Sequence, residues 1–292
     1  MLLKLPRLGN PYLSQSVYTV LSDLFSLSLE DATYNCDHLT DVLAVVLSSP
    51  PSRSDAILSP VWVQVLGNAL FAYRGVPQTA YATALGKVWN TIWPFLDSTD
   101  SKTRKAAAES LNNLCRSFTQ ELISAALRDS NSRSTLHQVI RQLTKDLDSL
   151  AYARAMPEML SVVASLITHL QYRLDPTSQS AAELLLLPLI QRVGDLRIQK
   201  GFEYKEDADN TLAAAMRVLG PEVLLQILPL NIEPSDRYAI SFSNGNHFPH
   251  LWALKPSWPR TARLSPSSPT SPASFSFMPF CLIFRTTERT HV

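Results

Sequence analysis

Apolar side chains recur at three- and four-residue spacing along most of the chain, the period of a helix that buries one face. Leu13, Val17, Val20, Leu21 and Leu24 make one stripe, and Leu39, Val42, Leu43, Val46 and Leu47 make the next, which stops at Pro50-Pro51. Further stripes run Val61 to Phe71, Tyr81 to Trp93, Ala106 to Leu114, Leu136 to Leu147, Met159 to Leu170, Ala181 to Val193, Leu212 to Leu219 and Val223 to Leu228. Strict alternation, the mark of a half-buried strand, does not compete with them. The breaks are short and carry turn residues: Gly75-Val76-Pro77, Asp97-Ser98-Thr99-Asp100, Leu174-Asp175-Pro176 and Gly220-Pro221. About ten helices joined by short turns predict an all-α chain of antiparallel helix pairs, either a bundle or a repeat array.

The passage from Trp93 to Leu114 favours the array. It resembles the HEAT-repeat pattern over one inter-helix turn: Pro94 in the first helix, Asp100 in the turn, Arg104 opening the second helix, then Ala107, Leu111 and Leu114 at helical spacing. Asp100 is suited to cap the free N–H groups of the second helix, Ala107 allows close approach, and the leucines fill the seam. Pro94 is expected to bend the first helix. Pro157 and Pro188 read as weaker copies of this in-helix proline, at intervals that bracket two units and one of a degenerate repeat with a period of roughly 30 to 47 residues. The predicted fold of residues 1–237 is therefore a HEAT/armadillo-like α-solenoid.

After Arg237 the pattern stops. Residues 238–292 contain seven Pro and nine Ser and no helical stripe, a composition that predicts a disordered tail. Trp252, Trp258 and a Phe cluster are unusual for a selected linker. The segment reads as translation of a retained intron or an out-of-frame exon, which would make the solenoid truncated.

Composition narrows the function classes. The chain of 292 residues has a net charge of +1, but its last 55 residues hold five Lys/Arg against Glu288 alone, leaving residues 1–237 at −3. An acidic body gives no support for a broad nucleic-acid surface, so any RNA contact is expected as a local patch. Cys36, Cys115 and Cys281 are widely separated and form no metal-ligand spacing. The apolar start is cut by Lys4, Pro6 and Arg7 before a signal-peptide core forms, and no membrane-spanning helix is expected.

Candidate chemistry is sparse. Cys36-Asp37-His38 reads as a helix start with Asp37 or Thr40 capping, and His137 and His169 stand singly on helices. Glu203, Glu206, Asp207 and Asp209 suit the start of a helix, where acids complement the dipole. No nucleophile elbow, P-loop or dinucleotide fingerprint occurs. The expectation is no enzyme, no cofactor, no metal and no small-molecule substrate. Basic residues gather in three places: Lys102, Arg104 and Lys105; Arg192, Arg197, Lys200 and Lys205; and Arg128, Arg133, Arg141 and Lys145. If repeat turns align, Lys102, Arg104, Lys105, Arg197 and Lys200 are the candidate RNA-contacting residues.

One stretch is more specific. Val218-Leu219-Gly220-Pro221-Glu222-Val223-Leu224-Leu225-Gln226-Ile227-Leu228-Pro229-Leu230-Asn231-Ile232, preceded by Phe202 to Asp209, resembles the core of the ribosomal RNA-processing protein 12 family. Pro60 to Leu66 and Phe71 to Arg74 are also similar to it, so the resemblance covers about residues 60–236. Gly220 is expected to end one helix, Pro221 to start the next and Pro229 to close it. The resemblance implies a large HEAT-repeat ribosome-assembly factor of the nucleus and nucleolus. Its implied partners are pre-ribosomal RNA, assembly proteins and nuclear transport factors, and its implied role is rRNA processing and subunit nuclear export. Family members are several times longer, so it also implies a truncated fungal-type fragment or a faulty gene model. The competing reading is a karyopherin-like transport adaptor or a general protein-binding HEAT scaffold, which would need apolar slots between outer helices.

Overall fold

A computed structural model describes residues 10–27, 36–72, 77–129, 132–175 and 178–228; the tail 238–292 and Pro229 lie outside them. Eleven α-helices account for most of the described residues: α1 (Pro11–Leu27), α2 (Cys36–Leu47), α3 (Leu58–Ala72), α4 (Gln78–Ile92), α5 (Ser101–Arg116), α6 (Gln120–Arg128), α7 (Thr135–Asp146), α8 (Met156–His169), α9 (Ala181–Ile198), α10 (Lys205–Leu219) and α11 (Pro221–Ile227). Short 3-10 turns at Trp93–Asp97 and Leu150–Ala155 follow α4 and precede α8. The described residues contain no strand.

The helices stack in two rows. In the first, α1, α3, α5, α8 and α10 each pack along the next; in the second, α4, α7 and α9 do so, with α2 against α3, α11 against α10, and α6 wedged beside α7 and α9. Side chains on the contact faces are apolar and fully buried, including Trp62, Leu66 and Leu70 of α3, Leu111 and Leu114 of α5, and Met159, Leu160, Val163 and Leu166 of α8. Each such side chain contributes about 1.5–3 kcal/mol relative to exposure. The arrangement is an α-solenoid of antiparallel helix pairs, as the spacing predicts.

Small polar side chains set the lateral register of the first row. Ser110 Oγ donates to the carbonyl of Val63, Ser165 Oγ to that of Asn112 and Thr211 Oγ1 to that of Leu160, at 3.1, 3.3 and 3.0 Å. These partners lie 47, 53 and 51 residues apart in sequence, which defines the period. Thr135 Oγ1 repeats the device in the second row by donating to Ala82 O at 3.2 Å, 53 residues away.

Helix ends follow their local signals. Asp100 caps α5, accepting from the Thr103 N–H and the Thr103 hydroxyl at 2.8 Å each. Thr119, Ser134 and Ser180 cap α6, α7 and α9. Gly220, at φ +84°, ends α10 and Pro221 opens α11 in its first turn.

The prolines are not equivalent, which corrects the expectation of a repeated in-helix proline. Pro188 lies inside α9. Pro94 instead sits where α4 passes into its 3-10 turn, and Pro157 occupies the first turn of α8, where the missing N–H has no helical partner to lose. The apolar stripes also leave out α6, a nine-residue helix whose Leu122, Ile123 and Ala126 are buried. By length and composition Leu150–His169 would suffice to cross a membrane, but its helix is flanked by α5 and α10 and carries the centre of the core.

Candidate nucleic-acid interface

Where the second row turns back into the first, successive turns align along one edge. Ser98 Oγ donates to Arg53 O at 3.2 Å, which joins the turn before α3 to the turn before α5. Trp93 Nε1 donates to Asp146 Oδ2 at 2.7 Å, and the Trp93 ring lies 5.9 Å from that of Tyr152, which joins it to the turn before α8. Arg192 on α9 pairs with Asp148 of that turn, and residues 199–204 then lead into α10.

This edge carries all five sequence candidates, and it divides them. Arg104 Nη1 donates to the carbonyls of Ser98 and Thr99 at 3.0 and 3.1 Å, and its Nε lies 3.5 Å from Glu158 Oε1 of α8, both side chains being less than 15% exposed. Arg197 of α9 grips Asp209 of α10 with two hydrogen bonds, at 2.6 and 3.2 Å. These guanidiniums tie neighbouring helices together. Lys102, Lys105 and Lys200 are exposed. Lys102 and Lys105 project from the first turns of α5; Lys200 stands beyond the intervening turn that holds Asp148 and Arg154, so the three do not form one cluster. Sequence spacing offered no sign of the two arginine pairs, because Arg104 and Glu158 are 54 positions apart and meet only through the stacking of α5 on α8.

The titratable residues of catalytic type have structural surroundings. Burial pushes the Cys115 thiol up to about 12. His169 is held below its ordinary value by burial and by nearby Arg116, and His137 Nδ1 shares a 2.8 Å hydrogen bond with the Ser134 cap. Cys36, Asp37 and His38 fall in the first turn of α2, but their side chains lie outside the described residues. The acidic run places Glu206 and Asp207 in the first turn of α10. Among the described residues no group of three His, Cys, Asp or Glu side chains is placed to hold a metal ion.

Two stacked rows of antiparallel helices, joined by aligned turns, define a HEAT-type α-solenoid, a scaffold architecture whose function resides on its surfaces. The chain belongs to the family described as ribosomal RNA-processing protein 12, HEAT repeats, which matches residues 97–252. It is 23% identical over 228 residues to the putative ribosomal RNA-processing protein 12 of Schizosaccharomyces pombe, covering 78% of this chain and 18% of that protein. To ribosomal RNA-processing protein 12 of Saccharomyces cerevisiae it is 20% identical over 199 residues, covering 66% of this chain and 16% of that protein. The chain thus spans less than a fifth of the length of these relatives.

Proposed function

We propose that this chain is a non-enzymatic scaffold segment of the ribosome-assembly machinery, which associates with pre-ribosomal particles and supports rRNA processing and subunit nuclear export. Membership of the ribosomal RNA-processing protein 12 family carries the reading. The site of action is the nucleus and nucleolus, and the partners are pre-ribosomal RNA, ribosome-assembly proteins and nuclear transport factors. Exposed Lys102, Lys105 and Lys200 reach RNA phosphates along the turn edge, giving salt-dependent binding with little sequence preference. Arg104 and Arg197 support that edge by holding its helices.

The test is gradient sedimentation of the tagged full-length chain from yeast lysate, followed by northern probing of the fractions. Co-sedimentation with particles that contain unprocessed rRNA is expected. A chain confined to the top of the gradient overturns the reading.

One observation favours a second reading as a transport adaptor. A slot of about 390 Å3 opens between α4, α6 and α7, lined in part by Ala82, Phe118, Leu122 and Leu136. Binding of a Phe-Gly repeat peptide, abolished by Ala82→Arg, would support that reading; no binding would leave the slot as a packing defect.

A further inference from the structure

The outer face of the second row holds a different feature. Between α4 and α7 runs a groove of about 340 Å3 lined by Asn90, Gln138, Arg141, Gln142, Lys145 and Asp146. The spacing of residues 138, 141, 142 and 145 puts all four on one face of α7. Lys87 is one turn before Asn90 on α4 and is exposed, as are Asn90, Gln138, Arg141 and Lys145. The groove is therefore flanked by three cations.

Its one carboxylate, Asp146, is held by a neutral donor and keeps its charge, so the groove and its flanks carry a net charge of about +2. Asp146 Oδ2 accepts from buried Trp93 Nε1 at 2.7 Å, and the next acid along, Asp148, pairs with Arg192. Arg141 directs one Nη2 donor to Ser132 O at 3.0 Å, and a guanidinium has five N–H donors in all. Lys145 adds three donors without an acceptor. Asn90 and Gln142, which also line the groove, supply both donors and acceptors, a combination that matches a ribose hydroxyl as well as a phosphate oxygen.

We infer that this groove binds the phosphodiester backbone of a single RNA strand, with Lys87, Arg141 and Lys145 on the phosphates and the amides of Asn90 and Gln142 on the sugar. The RNA class rests on the function proposed above; the location does not, because the groove runs along the helix faces of α4 and α7 and reaches the turn edge only at Asp146. Its size suits a nucleotide unit, near the lower end of ligand pockets, about 300–1,000 Å3. Asp146 offsets one of the three cations and Asp148 is taken up by Arg192, so an RNA strand supplies the counter-charge for the other two.

The test compares three forms of the full-length chain, each checked for helicity by circular dichroism, in binding fluorescein-labelled oligouridylate at two salt concentrations. The groove form carries Lys87→Gln, Arg141→Gln and Lys145→Gln; the edge form carries Lys102→Gln, Lys105→Gln and Lys200→Gln. The groove form is expected to bind at least roughly tenfold more weakly, with a log–log salt slope shallower by about 2, as for three lost phosphate contacts on a single strand. Unchanged binding by the groove form overturns the inference and leaves the turn edge as the RNA surface. Absence of RNA binding by the parent chain also overturns it, while particle co-sedimentation decides the scaffold role separately. Equal competition by polyglutamate of matched charge overturns it in favour of an acidic peptide ligand.

Discussion

Gly67 of α3 and Ser110 of α5 lie so close that a Cβ on Gly67 would stand 2.9 Å from Ser110 Cβ and 3.1 Å from its Cα. The Ser110 hydroxyl meanwhile bonds to Val63 O, so α5 cannot slide away without breaking a buried hydrogen bond. Gly67→Ala is expected to lower stability by about 1–2 kcal/mol, the overpacking cost less the better helix propensity of alanine. At Gly86 the nearest atom is the tip of the Thr135 side chain, at 3.3 Å. Gly86→Ala should be neutral or stabilising by about 0.5 kcal/mol. Urea denaturation followed by circular dichroism checks both, and equal effects would show that the close approach carries no energy.

The Arg104–Glu158 pair links α5 to α8 with little exposure on either side. Glu158→Ala leaves a partly buried guanidinium with only the Ser98 and Thr99 carbonyls and is expected to cost about 2 kcal/mol. Replacing both residues, as Arg104→Met with Glu158→Leu, should recover most of that loss, because no unpaired charge remains. A double-mutant cycle of Arg104→Met, Glu158→Leu and their combination, followed in urea, measures the coupling; additive losses would mean the pair contributes nothing.

The Thr103 hydroxyl and N–H, which hydrogen-bond the Asp100 carboxylate, hold it below the ordinary Asp range. Its folded pKa is thus lower than its unfolded value of about 3.9, so the cap's contribution is present above that pH and is lost as pH falls through the folded value. Asp100→Ala is expected to cost about 1 kcal/mol at neutral pH, with a smaller difference as pH drops below about 4. Thermal melts of the two forms across that range test the cap, and a pH-independent difference would assign the loss to something other than the carboxylate.

Much of this architecture is legible in the residues themselves. The turn Asp97 to Asp100, the cap at Asp100, small Ala107 and the seam leucines Leu111 and Leu114 announce the hairpin of α4 and α5, because each is a local requirement met by local chemistry. Gly220 and Pro221 mark the α10–α11 junction for the same reason. Helix α6 goes unseen because no Gly or Pro marks either of its ends, as Gly220-Pro221 and Pro229 mark those of the still shorter α11, and Pro157 is misplaced because a proline in a helix's first turn and one in its interior look alike without the boundary. The candidate site is read least well. Whether Arg104 meets RNA or Glu158 depends on how α5 lies on α8, and the α4–α7 groove draws its residues from helices about 50 positions apart in sequence.

Cys115 is buried, with its thiol pushed up to about 12, and its Sγ lies 3.9 Å from Val162 O. It should be inert toward iodoacetamide in the native protein at mildly alkaline pH. Peptide mass spectrometry is expected to show labelling of Cys115 more than roughly 100-fold faster in urea than in buffer. Rapid native labelling would mean that the α5–α8 seam opens readily.

The first row is pinned at short intervals by Ser110, Ser165 and Thr211, each bonded to a neighbouring helix's backbone. In the second row α4 and α7 leave open space along their outer face. That space is nevertheless clasped at both ends, by the Thr135 hydroxyl on Ala82 O and by the Trp93 indole on Asp146. The α4–α7 groove is thus a seat whose width is set before any ligand arrives, so a ligand need not spend binding energy on opening it.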